Sequence, residues 1–324
     1  MHLLIILSSA GLVLASGWVA LRCMPRIRGW RPRRELQLLV LAAPVLSLAL
    51  AIGGLHHFAG QTCFIGAPPW DYTLSVGLPL AMSFVALGAC LLGIIRLLLM
   101  QRLMGARGVP AGPELQATVG ELAHRLGARG PRILVCADDR PVALTYGLVR
   151  PTLLLSRWML GRLDGRELES VLAHEMAHVA RRDYLVVWLA TVLRDAFCYL
   201  PTSWIAHRQL QAEKEYACDD LAVGVTGRPL ALASALATVW QPGPASRSLS
   251  GVPALAGSSG AVEARIARLL VHRVQPTEGR SSGLLPLGTG TAAVVGLVAA
   301  ETMNVATLLA PLGCSHAMVL GKFF

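Results

Sequence analysis

Four apolar stretches, at about residues 3–21, 36–55, 74–100 and 284–309, dominate this 324-residue chain. Each is near or above the roughly twenty residues that a helix needs to cross a bilayer. Between the third and the fourth lies one long stretch, 108–280, of ordinary domain size. Hydrophobic residues make up 54% of the chain and the mean hydropathy is +0.55, too apolar for a soluble domain of this length. The arginines set the orientation. Six crowd residues 22–34, Arg102 and Arg107 follow the third stretch, and the loop from His56 to Thr73 has neither Lys nor Arg. Basic loops stay in the cytosol. The expectation is an N-terminus outside, 22–34 inside, 56–73 outside, 101–283 inside and a C-terminus outside. The first stretch has its arginines after it, the reverse of a secretory signal peptide. Pro44 in the second is tolerated where neighbours satisfy the freed carbonyl. The net charge of +10 therefore reads as topology with attraction to the lipid bilayer, and direct nucleic-acid binding is not expected.

This gives a multi-pass α-helical membrane protein with four transmembrane helices and an inserted cytosolic α+β domain. Residues 1–107 hold three transmembrane helices. Residues 108–280 form the domain, with a Gly-, Pro-, Ser- and Ala-rich linker at 241–260. Residues 281–324 hold the fourth helix and a short extracytoplasmic tail. Seven cysteines show no C-x-x-C spacing and make no zinc knuckle. Cys63 and Cys314 are the two placed outside, where a disulfide between them is conceivable. Cys136, Cys198 and Cys218 fall on the reducing side as free thiols.

Inside the domain, Leu115, Val119, Leu122 and Leu126 have helical spacing closed by Gly127. Ile133 to Cys136 reads as a short strand, and Ala143 to Ser156 as two strands broken around Pro151. Asp164 with Glu167 three residues later forms a capping-box pattern for a helix running to about Ala180. Tyr184 to Leu200 is another apolar helix, but Arg194 and Asp195 interrupt it, so it reads as buried or membrane-apposed. Helices at about 203–224 and 263–271 follow.

The chemistry sits at His174-Glu175-Met176-Ala177-His178. Positions i and i+4 share one helix face, so both imidazoles can serve one ion. Glu175 lies beside them and can act as general base toward a water at the ion. Two exposed histidines on a helix would give the same letters, so a third ligand is the useful test. Glu213, Glu215, Asp219 and Asp220 cluster about forty residues downstream. Glu215 and Asp219 are again i and i+4. Glu215 is assigned as the third zinc ligand, with Asp219 accepting a hydrogen bond from a ligating histidine. Three protein ligands leave an open position, as a catalytic Zn2+ site needs. Cys218 is either a fourth ligand or a small buried hydrophobe. Asp183 either anchors the helix or is solvated. His207 and Arg208 are candidates for donating to an oxyanion.

Taken together, Gly147-Leu148-Val149-Arg150-Pro151, Val171 to His178 with Arg182-Asp183, Glu215-Tyr216-Ala217-Cys218-Asp219 and Arg265-Ile266-Ala267-Arg268-Leu269 resemble the BlaR/MecR family of transmembrane zinc metallopeptidases. The resemblance implies a gluzincin-like metallopeptidase domain with zinc on His174, His178 and Glu215, and Glu175 catalytic. It implies a bacterial plasma membrane and site-specific cleavage of a protein substrate, typically a winged-helix repressor, in response to an outside signal. The antibiotic-sensing members continue into a C-terminal penicillin-binding sensor domain. This sequence lacks one, so a covalent β-lactam receptor is not expected. The leading expectation is a membrane-embedded zinc-dependent endopeptidase acting in signal transduction on a cytosolic repressor. The alternatives are an HtpX-like protease for membrane protein quality control, or a non-catalytic metal-binding membrane sensor.

Overall fold

The computed structural model describes residues 2–27, 29–58, 69–105, 108–147, 150–239 and 259–271, which divide into two units. The first holds the described residues up to Gly93 together with 189–210. It contains helix α1 (His2–Cys23), a 3-10 turn at Met24–Arg26, α2 (Trp30–Phe58) and the first part of α3 (Pro69–Gly105). These helices overlie the first three apolar stretches. Among the described residues one stretch, Leu80–Gly105 in α3, is both long and apolar enough to cross a membrane, with a mean hydropathy of 2.3 over its apolar window. The expected fourth span at 284–309, the tail, Cys63 and Cys314 lie outside the described residues, as does nearly all of the 241–260 linker.

The second unit is built on a small sheet of β1 (Gly108–Pro110), β2 (Arg132–Cys136), β3 (Ala143–Tyr146) and β4 (Thr152–Ser156). The strand order is β1-β2-β4-β3, with β2 and β4 parallel and both outer pairs antiparallel. Alternation along β4 separates two apolar faces. Leu153 and Leu155 enter a core with Val119 and Leu122 of α4 (Pro113–Leu126) and with Leu172 and Met176 of α6 (Gly165–Arg181). Leu154 points the other way, with Leu134, Leu144, Tyr146 and Met104. Burying each such Leu fully contributes roughly 1.5–3 kcal/mol. A short helix α5 (Arg157–Arg162) follows β4 directly, capped by the Ser156 hydroxyl, which accepts from the Met159 N–H. Besides α3, two more helices cross from one unit into the other, α7 (Asp183–Ala196) and α8 (Pro201–Thr226). α9 (Pro229–Val239) and α10 (Ser259–Leu270) complete the second unit's core through Leu232, Ala233, Ala235 and Leu269. β1, α5 and α9 had no counterpart in the sequence reading.

Two local features aim the site. Asp164 accepts from the N–H groups of Arg166 and Glu167, while the Glu167 carboxylate accepts from the Asp164 N–H, so α6 starts on the expected capping box. At the end of β3, Gly147 has φ +102°, and a Cβ there would stand 2.3 Å from the Arg150 carbonyl oxygen. Only glycine allows the chain to turn back this tightly into β4.

Candidate active site

The middle of α6 is buried all round, from Ser170 to Ala177. His174 and Glu175 are therefore held by packing, at 7% and 8% exposure. Their charge must be satisfied by specific partners. The rings of His174 and His178 stand edge to face with centroids 4.8 Å apart. Glu215 of α8 faces both. Its Oε2 is 3.4 Å from His174 Nε2 and its Oε1 is 3.9 Å from His178 Nε2. Ligand atoms around a tetrahedral zinc-sized ion stand about 3.3 Å apart. The three side chains fit such an ion, and one ligand atom from each lies within 4.8 Å of the others.

The opposite ring nitrogens support this arrangement. His178 Nδ1 is bonded to Asp183 Oδ2 at 2.9 Å, and His174 Nδ1 lies 3.0 Å from Asp219 Oδ1. A carboxylate at each Nδ1 leaves each Nε2 lone pair free for a metal. The contact at Asp219 is an ion-pair distance out of line for a hydrogen bond, since His174 Nδ1 has no hydrogen-bond partner among the described residues. A second acid, Asp183, the first residue of α7 and 2% exposed, accepts a hydrogen bond from the other histidine.

Arg265 of α10 explains what Asp219 does. Its Nε and Nη2 donate to the two Asp219 oxygens at 2.8 and 2.7 Å, and its Nη1 lies 3.1 Å from Glu215 Oε2. The same guanidinium approaches His174 Nε2 at 3.4 Å. One turn on, Arg268 forks onto Asp220 and donates to the Tyr216 carbonyl. α10 thus fastens the acidic face of α8. Lys214 Nζ closes the ring at 2.9 Å from Glu215 Oε1.

The electrostatics follow from these contacts. Burial opposes the charge on His174, but Asp219 and Glu215 overcome it and hold the ring's pKa up at about 9. Burial likewise opposes the carboxylates. Lys214 and the two imidazoles hold Glu215 well below the ordinary carboxylate range, and Arg265 and His174 lower Asp219. Burial and the nearby Asp183 push the Cys218 thiol well up. Its Sγ donates to Asp183 Oδ2 at 3.2 Å and lies 3.1 Å from His178 Nδ1, on the far side of the ring from Nε2. There the thiol is a small buried partner of Asp183, apart from the His174, His178 and Glu215 group, and with His178 and Asp183 it makes a second group whose ligand atoms lie within 4.8 Å of one another. His207 is 3.2 Å from Thr191 in the first unit.

Glu175 points back to the sheet, where the Thr145 hydroxyl of β3 donates to its Oε2 at 3.0 Å. Sequence reasoning missed Thr145 and gave Arg265 no role. No spacing pattern links either to the α6 motif.

Comparison with known proteins gives a consistent picture. Residues 73–230 match the family model of the BlaR1 peptidase M56, a segment that contains His174, Glu175, His178 and Glu215. The chain is 28% identical over 193 residues to a protease HtpX homolog of Acidiphilium cryptum, covering 46% of this chain and 67% of that one. It is 36% identical over 100 residues to a protease HtpX homolog of Aquifex aeolicus, covering 30% and 33%. A Salinibacter ruber protease HtpX homolog matches at 26% over 215 residues, covering 52% and 78%. The chain spans only part of the length of the relatives it matches. The chain is thus similar, over part of its length, to BlaR1-type M56 peptidases and to protease HtpX homologs.

Proposed function

We propose that this chain is an M56-type membrane metallopeptidase, a zinc-dependent endopeptidase that cleaves a cytosolic regulator, and that its second unit lies in the cytosol between the third and fourth of four membrane spans. The observation that carries the catalytic reading is the convergence of His174 Nε2, His178 Nε2 and a Glu215 carboxylate, with both Nδ1 atoms backed by acids. His174, His178 and Glu215 would hold the ion. Zinc, when bound, supplies Lewis acidity that polarises a carbonyl and lowers the pKa of water toward roughly 7. Glu175 takes the proton of the attacking water and delivers it to the leaving amine. Thr145 fixes the free rotation of that carboxylate. β3 is one of the two outer strands of the described sheet and ends beside Glu175, so a substrate in extended form can pair along its outer edge.

The test is metal content with proteolysis on detergent-purified protein. Wild type should hold one zinc and cleave, Glu215→Ala should lose the metal, and Glu175→Ala should keep the metal without cleaving. Zinc-free wild type, or substantial cleavage by Glu175→Ala, would refute the assignment.

A second reading is degradation of damaged membrane proteins, favoured by the names of the relatives, which are protease HtpX homologs. The two readings part on specificity. Cleavage of one cytosolic repressor at one peptide bond supports the regulatory reading, and broad cleavage of unfolded membrane substrates supports quality control.

A further inference from the structure

We propose that the corner between α7 and α8 is inserted into the hydrocarbon of the bilayer, making residues 196–204 the re-entrant tip of a hairpin covered by lipid acyl chains. This rests on the membrane-spanning reading of α3 and is independent of catalysis.

The corner packs on the spans. Ala196 and Phe197 are buried against Ala89, with Ala86 and Leu200 at the edge of the cluster, and Phe197 is 1% exposed. Ala86 and Ala89 are one helical turn apart within the apolar stretch of α3, and small side chains let helices approach closely in membranes. On α1, Gly17 lies beside Thr202 and Val40, 3.7 and 3.4 Å from where its Cβ would be.

The arginines supply a depth scale on all three helices, at a rise of about 1.5 Å per residue. Gly17 lies about 8 Å along α1 from Arg22 and Val40 about 9 Å along α2 from Arg34, while Ala89 lies about 20 Å along α3 from Arg102, which follows the apolar stretch. On each of the three helices the corner thus lies on the apolar side of the charged end. A hydrocarbon core about 30 Å thick encloses all three positions.

The chemistry of the corner suits that position. Backbone groups in hydrocarbon must be satisfied internally. The Leu200 N–H donates to Phe197 O, the Ser203 N–H to Leu200 O, and the Trp204 indole N–H to Cys198 O at 2.8 Å. Arg194 and Asp195, which interrupt the apolar run in sequence, neutralise each other at 2.6 Å, and the guanidinium stacks 4.8 Å from the Trp204 ring centroid. Around the turn, from Ala190 to His207, the exposed groups are Cys198, Tyr199, Pro201 and Trp204, all uncharged, and the first exposed charge is Arg208, one helical turn beyond Trp204. The corner packs on the α3 segment of Ala86 and Ala89, in which Phe84 and Leu87 are 71% and 67% exposed. That continuity with the lipid-facing side of a span selects acyl chains over a protein partner.

The test places a nitroxide on Cys198 in full-length protein in lipid nanodiscs, with the other six of the seven cysteines replaced by alanine and metal content checked as a control on folding. Reference labels go on Leu87→Cys in α3 and on Glu114→Cys at the exposed start of α4, in the same cysteine-free background. Collisional relaxation is read with oxygen, which concentrates in hydrocarbon, and with a water-soluble nickel chelate. The Cys198 label should match Leu87→Cys, with oxygen access at least several-fold above nickel access. Nickel access equal to that of Glu114→Cys overturns the proposal, and so does exclusion of both reagents, which would mean a protein cover. If Leu87→Cys also meets nickel, the membrane reading itself fails, and the two failures are thereby told apart.

Discussion

The hydroxyl of Thr145 donates a 3.0 Å hydrogen bond to Oε2 of Glu175, joining the outer strand of the sheet to the residue placed as general base. A carboxylate that shuttles a proton must keep one oxygen directed at the reacting water, and Thr145 occupies the other. A hydrogen bond to a charged group contributes about 1.5–3 kcal/mol. Thr145→Val should therefore lower kcat roughly 10- to 100-fold, with zinc content unchanged. Thr145→Ser, which keeps the hydroxyl, should restore most of it. Equal loss in both variants would mean that packing of the methyl group, and not the hydrogen bond, matters.

Arg265 is expected to govern metal affinity from 46 residues beyond Asp219. Its fork holds Asp219 behind His174, and outer partners of this kind are worth roughly 10- to 100-fold in affinity. Arg265→Lys keeps the charge but loses the two-point contact. Competition with a fluorescent zinc chelator should show weaker binding by about that factor, while Arg268→Lys, whose partner Asp220 touches no ligand, should bind zinc nearly as well as wild type. Arg265→Ala should in addition destabilise the fold by about 3–5 kcal/mol, because Asp219 is left buried without its counter-charge.

What the sequence could show and what it could not divides along chain distance. The α6 motif, its capping box, the i, i+4 pair at Glu215 and Asp219 and the Gly127 stop of α4 are all local patterns, because helix period and caps act over one turn. The supporting contacts join distant segments. Asp183 follows His178 by only five residues, yet its role depends on the chain turning at Arg182, which takes a left-handed φ of 53°. Nothing in the letters distinguishes that turn from continued helix, so a solvated Asp183 stood as an equal alternative. Thr145 and Arg265 reach the site only through the sheet order and the docking of α10, which depend on packing of the whole second unit.

Asp183 should also shape acid stability. Burial opposes its charge, but His178 and Arg181 overcome this and lower its pKa from 3.8 to about 2. Folding thus favours the ionised form. Its contribution, on the order of 2 kcal/mol, is complete above pH 3.8 and is lost as the pH falls through about 2. Acid titration of the metal-stripped protein, followed by circular dichroism, should show this loss, and Asp183→Asn should flatten the curve in that window. Identical curves for the two proteins would remove Asp183 from the account.

Gly147 offers a test of how the β3–β4 connection supports catalysis. Its φ of +102° costs a side-chain-bearing residue about 1–3 kcal/mol, and a Cβ would stand 2.3 Å from the Arg150 carbonyl oxygen, a backbone atom that cannot simply rotate away. Gly147→Ala should lower the Tm by roughly 5–10 °C for a unit of this size. β3 would shift with the turn, so Thr145 should lose its hold on Glu175 and kcat should fall further than the stability loss alone explains. The proposed metal ligands sit on α6 and α8, away from the turn, so zinc content should persist at temperatures below the new Tm. Gly161→Ala is the matched control. That helical glycine has open space where its Cβ would be, and the change should leave activity alone and raise stability by up to about 1 kcal/mol. A Gly147→Ala protein as stable as Gly161→Ala would mean that the chain can leave β3 by another route, and the connection would then not fix the edge strand beside Glu175.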